Sequence, residues 1–291
     1  MAVVACTPHP GLATVAIRDR PAIVHVVDLS TCAGYTRRIR PHTTTNAVRV
    51  VVTRHGNAGR QSIVANGKVV YSVRESYRTI PGGTPGPIML EGTVDSGRWI
   101  LFAIDPMNSQ SLAADGLTLS AVSARGGPPK TVTAGLLNED YRTWCGGRLV
   151  VVAGDDRIAT HNKWLITARP PDWRPHVLLK SASLAFGSLA CGADGRSIVV
   201  QSAPATGVNM TSIHPGWSLW RVGFDGSRAR LTTPPQGVSD ESPRLVGSTI
   251  YFVRSGRLYA SRGRKLVGPL LRLPSTDGYY GHRTWPYTLT P

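Results

Sequence analysis

The chain is patterned in twos. In "SLWRVGFDGSRARLTT", residues 218–233, Leu219, Arg221 and Gly223 alternate with Trp220, Val222 and Phe224. Asp225-Gly226 breaks the run, and Ala229, Leu231 and Thr233 resume it. Strict alternation sets one face of a strand against a core, and Asp-Gly supplies the positive φ of a tight hairpin turn. No long stretch shows a clean 3.6-residue period, and the 31 glycines and 22 prolines are spread along the chain as punctuation. Many short strands joined by turns are expected.

The hairpin recurs. "NGKVVYSV" at Gly67, "SGRWILFA" at Gly97, "GGRLVVVA" at Gly147, "DGRSIVVQ" at Gly195 and "GSTIYFVR" at Gly247 each place a turn glycine before an apolar run. The last four glycines are 50, 48 and 52 residues apart. Each of these four is followed by a second hairpin: "LTLSAVSARGGPPKTV" (117–132), "KWLITARPPDWRPHVL" (163–178), "WSLWRVGFDGSRARLT" (217–232) and "GRLYASRGRKLVGPL" (256–270). "AIVHVVDLSTCAGYTRRI" (22–39) has the same form. The unit is therefore a four-stranded antiparallel meander of about 48 residues, the size of one propeller blade.

Such a sheet buries both faces only by stacking on neighbours. The expected fold is all-β, a six-bladed β-propeller of four-stranded antiparallel blades forming one domain over 1–291. Five or seven blades are the adjacent counts. The blades are placed near 1–42, 43–86, 87–135, 136–181, 182–235 and 236–291. In the second, "NAVRVVVTR" and "QSIVANGKVVYSV" are strands of unassigned order. The first shows three strands, at about 11–17, 22–28 and 36–40. The tail "HRTWPYTLTP" is expected to supply the fourth, closing the ring with strands from both termini and removing an exposed edge.

The phrasing "ADGRSIVVQSA … SLWRVGFDGSRARLTT … SDESPRLVGSTIYFVRSGRLYA" resembles the TolB-type, WD-like β-propeller repeat. The fifth blade carries it best, with Asp194-Gly195 and Asp225-Gly226 in the two turns and Arg230-Leu231-Thr232 in the last strand. The sixth keeps Ser242-Pro243 but has Gly247-Ser248 for Asp-Gly; the third has Ser96-Gly97 and the fourth Gly146-Gly147. The resemblance covers 87–270 and fades over the first 86 residues. It implies a propeller fold and leaves function open, since the family includes periplasmic partners, scaffolds and the non-catalytic propellers of larger hydrolases.

Charge and cysteine content narrow the setting. Lys+Arg 33 against Asp+Glu 17 gives a net charge of +16, which suits polyanionic surroundings. The basic residues stand as singles and pairs, such as Arg37, Arg38 and Arg40 or Arg262, Arg264 and Lys265, so no specific nucleic-acid reader is expected. Four cysteines without a C-x-x-C suit two disulfides, expected as Cys6–Cys32 and Cys145–Cys191, and thus an oxidising compartment. No apolar run reaches the length of a transmembrane helix. The start "MAVVACTPHP" has no charged n-region, so no intact signal peptide is read, although Val3-Val4-Ala5-Cys6 has the form of a lipobox tail. A secreted, periplasmic or cell-surface monomer is expected.

Candidate chemistry sits in the variable connections, on the face opposite the glycine turns. "GDDRIATHN" (154–162) carries Asp155, Asp156, His161 and Asn162. Oxygen donors of this kind suit calcium, yet side chains adjacent in an extended loop point apart; no metal or other cofactor is assigned, and a solvated loop with Arg-paired acids is the reading adopted. "APATGVNMTSIHPGW" (203–217) brings His214 and Trp217, with a formal sequon at Asn209. "DPMNSQSLAAD" (105–115) is its counterpart in the third blade. No nucleophile elbow occurs, His25 lies in an alternating strand, and only four glutamates are present (Glu75, Glu91, Glu139, Glu241), which disfavours a lactonase-like metal site. "GYYGHRTWPY" (278–287) is dense in aromatics and is expected to pack the closing blade.

The expected function is a non-catalytic binding or scaffold module for a protein or anionic envelope component. Asp155, Asp156, His161, Asn162, His214 and Trp217 are its loop-face candidates, and no catalytic residue is assigned. The alternative is a hydrolase or lactonase-like propeller enzyme acting at its channel mouth.

Overall fold

A computed structural model describes residues 6–20, 23–38, 48–55, 58–76, 88–104, 117–136, 139–154, 158–206, 216–263, 265–274, 283 and 285–290. Along the chain run β1 (Thr14–Arg20), β2 (Ile23–Asp28), β3 (Gly34–Arg38), β4 (Arg49–His55), β5 (Ala58–Ala65) and β6 (Lys68–Ser76). Next come β7 (Ile88–Val94), β8 (Trp99–Ile104), β9 (Leu117–Ser123), β10 (Lys130–Leu136), β11 (Arg142–Cys145), β12 (Arg148–Ala153), β13 (Trp164–Ala168) and β14 (His176–Leu179). The series ends with β15 (Leu184–Cys191), β16 (Ser197–Pro204), β17 (Ser218–Gly223), β18 (Arg228–Arg230), β19 (Asp240–Val246), β20 (Thr249–Arg254), β21 (Arg257–Arg262), β22 (Lys265–Arg272) and β23 (Tyr287–Thr290). One 3-10 turn, Glu139–Tyr141, precedes β11.

All strand pairs are antiparallel, and among the described residues they form six sheets, five of four strands and one of three. The three-stranded one, β4-β5-β6, is a plain meander over the segment where the sequence left the strand order open. The chain divides into two compact units, Met1–Thr43 with Ile158–His161 and Ser181–Pro291, and Thr44–Arg157 with Asn162–Lys180.

The first unit holds β23-β1-β2-β3, β15-β16-β17-β18 and β19-β20-β21-β22. The expected tail strand is there: β23 pairs with β1 through Thr14↔Thr290, Val15↔Leu289, Ala16↔Thr288 and Ile17↔Tyr287. Consecutive side chains of one strand feed different cores. From β20, Tyr251 and Val253 join Val15, Ile17, Leu258 and Tyr287, whereas Ile250 and Phe252 join Val199 and Leu219. The second unit repeats the device, with Leu101 of β8 packed among Leu119, Leu149 and Ile166, and Ile100 and Phe102 among Ile63, Ile88 and Val122. A strand buried on both faces cannot alternate apolar with polar, which is why β8, β12 and β20 read as continuous apolar runs. Outer strands such as β18 are exposed.

Buried glutamines tie neighbouring sheets. Gln61 Oε1 in β5 accepts the backbone N–H of Ile88 at 2.7 Å, and Gln201 Oε1 in β16 accepts that of Ser242 at 3.3 Å. Each satisfies a backbone donor that would otherwise be desolvated without a partner. Cys6 and Cys32 form the expected disulfide, with Cα atoms 5.7 Å apart; Cys145 and Cys191 are disulfide-bonded as well, and no cysteine is free. No helix among the described residues is long and apolar enough to cross a membrane.

The turn glycines Gly67, Gly97, Gly147, Gly195 and Gly247 all have positive φ, between 54° and 81°. In the β17–β18 hairpin, Asp225 Oδ1 accepts from the Ser227 N–H at 2.9 Å and the Ser227 hydroxyl at 2.6 Å. Asp28 with Ser30 and Asp194 with Ser197 close their turns in the same way. These bonds favour the ionised carboxylate, so Asp225 is held below the ordinary carboxylate range, first by the Ser227 hydroxyl and then by its N–H. A depressed native value means that the turn's contribution is present above the unfolded-state value and is lost as pH falls through the native one. We expect the Asp225 carboxyl in an NMR titration to lie below its peptide value and to move back up in Ser227→Ala; an unmoved value would refute this account of the turn.

Candidate functional site

Of the loop-face candidates, Asp155, Asp156 and His214 lie outside the described residues, as do 105–115 and Asn209. His161 is half-buried, and its N–H donates to the Ile158 carbonyl at 3.1 Å. Asn162 is exposed with φ 49°. Trp217 is 2% exposed and packs with Ala159 and Ala203. Its N–H donates to Ser239 Oγ at 3.2 Å, and its carbonyl accepts from Asp240 at 2.8 Å. The indole therefore acts as a core side chain rather than a recognition surface. Thr160 and Thr206 join this strip through their hydroxyls, with a backbone bond of 2.9 Å between them. His25 is bonded across to Thr36 Oγ1 at 2.9 Å. No group of three or more His, Cys, Asp or Glu is placed to hold a metal among the described residues.

A different constellation stands out in the second unit. A pocket of about 450 Å3 is lined by Arg148, Arg169, Asp172, Arg174 and His176, with Thr167 and Pro170. Arg148 begins β12, Thr167 lies in β13, and the others come from the 169–175 connection and the start of β14. Three guanidiniums and an imidazole face a single carboxylate. The connection, "RPPDWRP", is polar and proline-rich, the composition of a loose loop, yet its centre is anchored. Trp173 is 0% exposed, its N–H donates to the Arg169 carbonyl at 2.8 Å, and its ring meets Trp99 edge-on at 5.4 Å. Trp144 lies at 6.4 Å. The anchor fixes the backbone that carries Arg169 and Arg174, so the arginines need less ordering on binding. Guanidiniums so placed recognise planar or tetrahedral oxyanions.

The first unit contains a buried polar cluster, of which only the aromatic stretch 278–287 was expected from the sequence, as packing. Asp240 and Glu241 open β19, and Trp285 and Tyr287 from the aromatic tail close over them. Trp285 Nε1 donates to Glu241 Oε2 at 2.7 Å, and the Tyr287 hydroxyl donates to the Ser242 carbonyl at 2.6 Å. Asp240 takes both Nε and Nη2 of Arg254, at 2.6 and 2.9 Å. Burial pushes the Glu241 carboxyl above its ordinary value, against the opposing pull of Trp285 and Arg283. A single glutamate among four gave no signal of this.

No family model matches the chain, and no curated protein sequence matches it. Among solved structures it is similar to a chain of a nidogen/laminin complex, at 12% identity and TM-score 0.46 over 90% of this chain and 96% of that one. It is similar to a putative TolB from Agrobacterium tumefaciens at 14% identity and TM-score 0.49, over 97% and 100% of the two chains. An oligogalacturonate lyase in complex with manganese is similar at 13% identity and TM-score 0.46, over 89% and 73%.

Proposed function

We propose that the chain is an extracytoplasmic β-propeller module, 1–291 in six TolB-like blades, that binds a protein or anionic envelope component without transforming it. The observation that carries this reading is the pocket of Arg148, Arg169, Arg174 and His176 on a loop anchored by Trp173. Disulfide-bonded cysteines suit the oxidising side of a membrane. A net charge of +16 draws polyanions toward the whole surface, and the pocket gives that attraction a place.

Local and diffuse attraction are separable. Binding of sodium polyphosphate and poly-L-glutamate is measured by calorimetry across about 50–200 mM salt. Arg169→Ala/Arg174→Ala is expected to weaken polyanion binding roughly tenfold and to reduce the log–log salt slope by about one per arginine removed. Asp172→Asn, which removes the carboxylate from the wall, is expected to strengthen binding. If the double arginine variant binds as well as the parent, the pocket is not the site and the reading fails.

A further inference from the structure

A second pocket, of about 370 Å3, is lined by Ser239, Glu241, Ser255, Arg272, Arg283 and Trp285. Arg283 lies over the Trp285 ring, 5.6 Å from its centroid, with its side chain only 15% exposed. Its Nη1 is 3.9 Å from Glu241 Oε2, an ion pair too long for a strong hydrogen bond. Its Nε is buried and has no hydrogen-bond partner among the described residues. A desolvated guanidinium N–H left without an acceptor is costly, and it is rare in native interiors. Glu241 does not supply the missing acceptor: its Oε2 accepts from Trp285 and approaches Nη1 only to 3.9 Å, and Nε stays unpaired among the described residues.

Apart from Glu241, the polar side chains of the wall each carry an N–H or O–H donor. Arg272 is exposed at the rim. Ser239 Oγ already accepts from the Gly216 and Trp217 N–H groups at 3.2 Å each, which leaves its hydroxyl proton to be given outward. A largely buried arginine lying over an indole, with a second arginine and a serine hydroxyl around one small cavity, offers the donors an oxyanion needs.

We propose that this pocket is an oxyanion-binding site, in which Arg283 offers its Nε edge and Arg272 and Ser239 complete the contacts to a carboxylate or phosphate group. None of these residues lines the basic pocket around Arg148, so the site stands or falls independently of the polyanion reading.

The Trp285 indole N–H resonance reports on it directly. The full chain is titrated with sodium phosphate, sodium acetate, and sodium chloride at matched ionic strength. A saturable shift with phosphate, acetate or both, absent with chloride, is expected, and the active anion identifies the group bound. Arg283→Gln is expected to abolish the shift, Arg272→Gln to weaken the affinity at least about tenfold, and Arg174→Ala to leave it unchanged. Should Arg283→Gln fail to fold, Arg272→Gln, at an exposed position, carries the test alone. A linear shift equal in all three salts, or an affinity indifferent to Arg272→Gln, overturns the proposal.

Discussion

Trp173→Ala is expected to lower the unfolding free energy by about 3–5 kcal/mol, the range for emptying a fully buried large aromatic. The site cannot collapse easily. Trp173 is held between Trp99 and Trp144, in a core that also takes Leu101, Leu119, Leu149 and Ile166 from two sheets. Its indole N–H is buried without a partner among the described residues, so the side chain contributes volume and contact rather than a hydrogen bond. Trp173→Phe, which keeps an aromatic ring and loses only that N–H and part of the volume, should therefore cost a fraction as much. Urea denaturation followed by circular dichroism reads both variants. A loss below about 1 kcal/mol for Trp173→Ala would show that the loop, and not the core, owns this side chain. The same variant should weaken polyanion binding in the folded protein, because Arg169 and Arg174 flank the anchor. Arg169→Ala/Arg174→Ala, by contrast, should weaken binding with stability nearly unchanged, as exposed charges contribute little to folding.

That contrast marks where the sequence was readable. Period-2 alternation with Asp-Gly located β17 and β18 within a residue or two, and the turn glycine before "TIYFVR" marked the start of β20. The tail strand followed from a first blade one strand short, and it pairs as expected. Three features were not legible. Gln61 and Gln201 look like ordinary polar residues in their strands, and only the position of the next sheet shows that each caps a backbone N–H. Trp173 sits among prolines and charges, a local composition that signals a solvated turn, while its burial depends on Trp99 and Trp144 from strands far away in the chain. The basic pocket draws Arg148 to residues more than twenty positions later, so a search for runs of charge passes over it. Asp155, Asp156 and His214 stand out in the sequence because acids and histidines in variable loops are the usual carriers of chemistry. The described residues instead concentrate donors in short, anchored turns.

Asp240 and Arg254 present the second large effect, and its sign depends on which partner is removed. The Asp240 side chain is 0% exposed and that of Arg254 16%, joined by two short parallel bonds, while Phe252 and Tyr259 each lie 5.5 Å from the guanidinium. Removing one member of a buried pair strands the other charge, at a cost of about 3–5 kcal/mol. Arg254→Met should sit at the severe end, since it leaves a wholly buried carboxylate. Asp240→Leu should cost less, because the guanidinium still reaches water and keeps its two aromatic neighbours. Taking both to apolar residues of similar size removes two desolvation penalties together with the attraction that offset them. The double variant is accordingly expected to be more stable than Arg254→Met and close to the parent, giving a coupling energy of several kcal/mol in a double-mutant cycle. Additive single effects would mean that the pair is wet and contributes little. The neighbouring residue gives an independent check. Glu241 is raised first by burial and, to a lesser degree, by the charge of Asp240, so removing that charge should bring Glu241 down toward its ordinary value. A raised native carboxyl favours folding below its unfolded value, and that contribution is lost as pH rises through the native one. The pH-dependent loss of stability assigned to Glu241 should therefore be smaller in Asp240→Leu than in the parent.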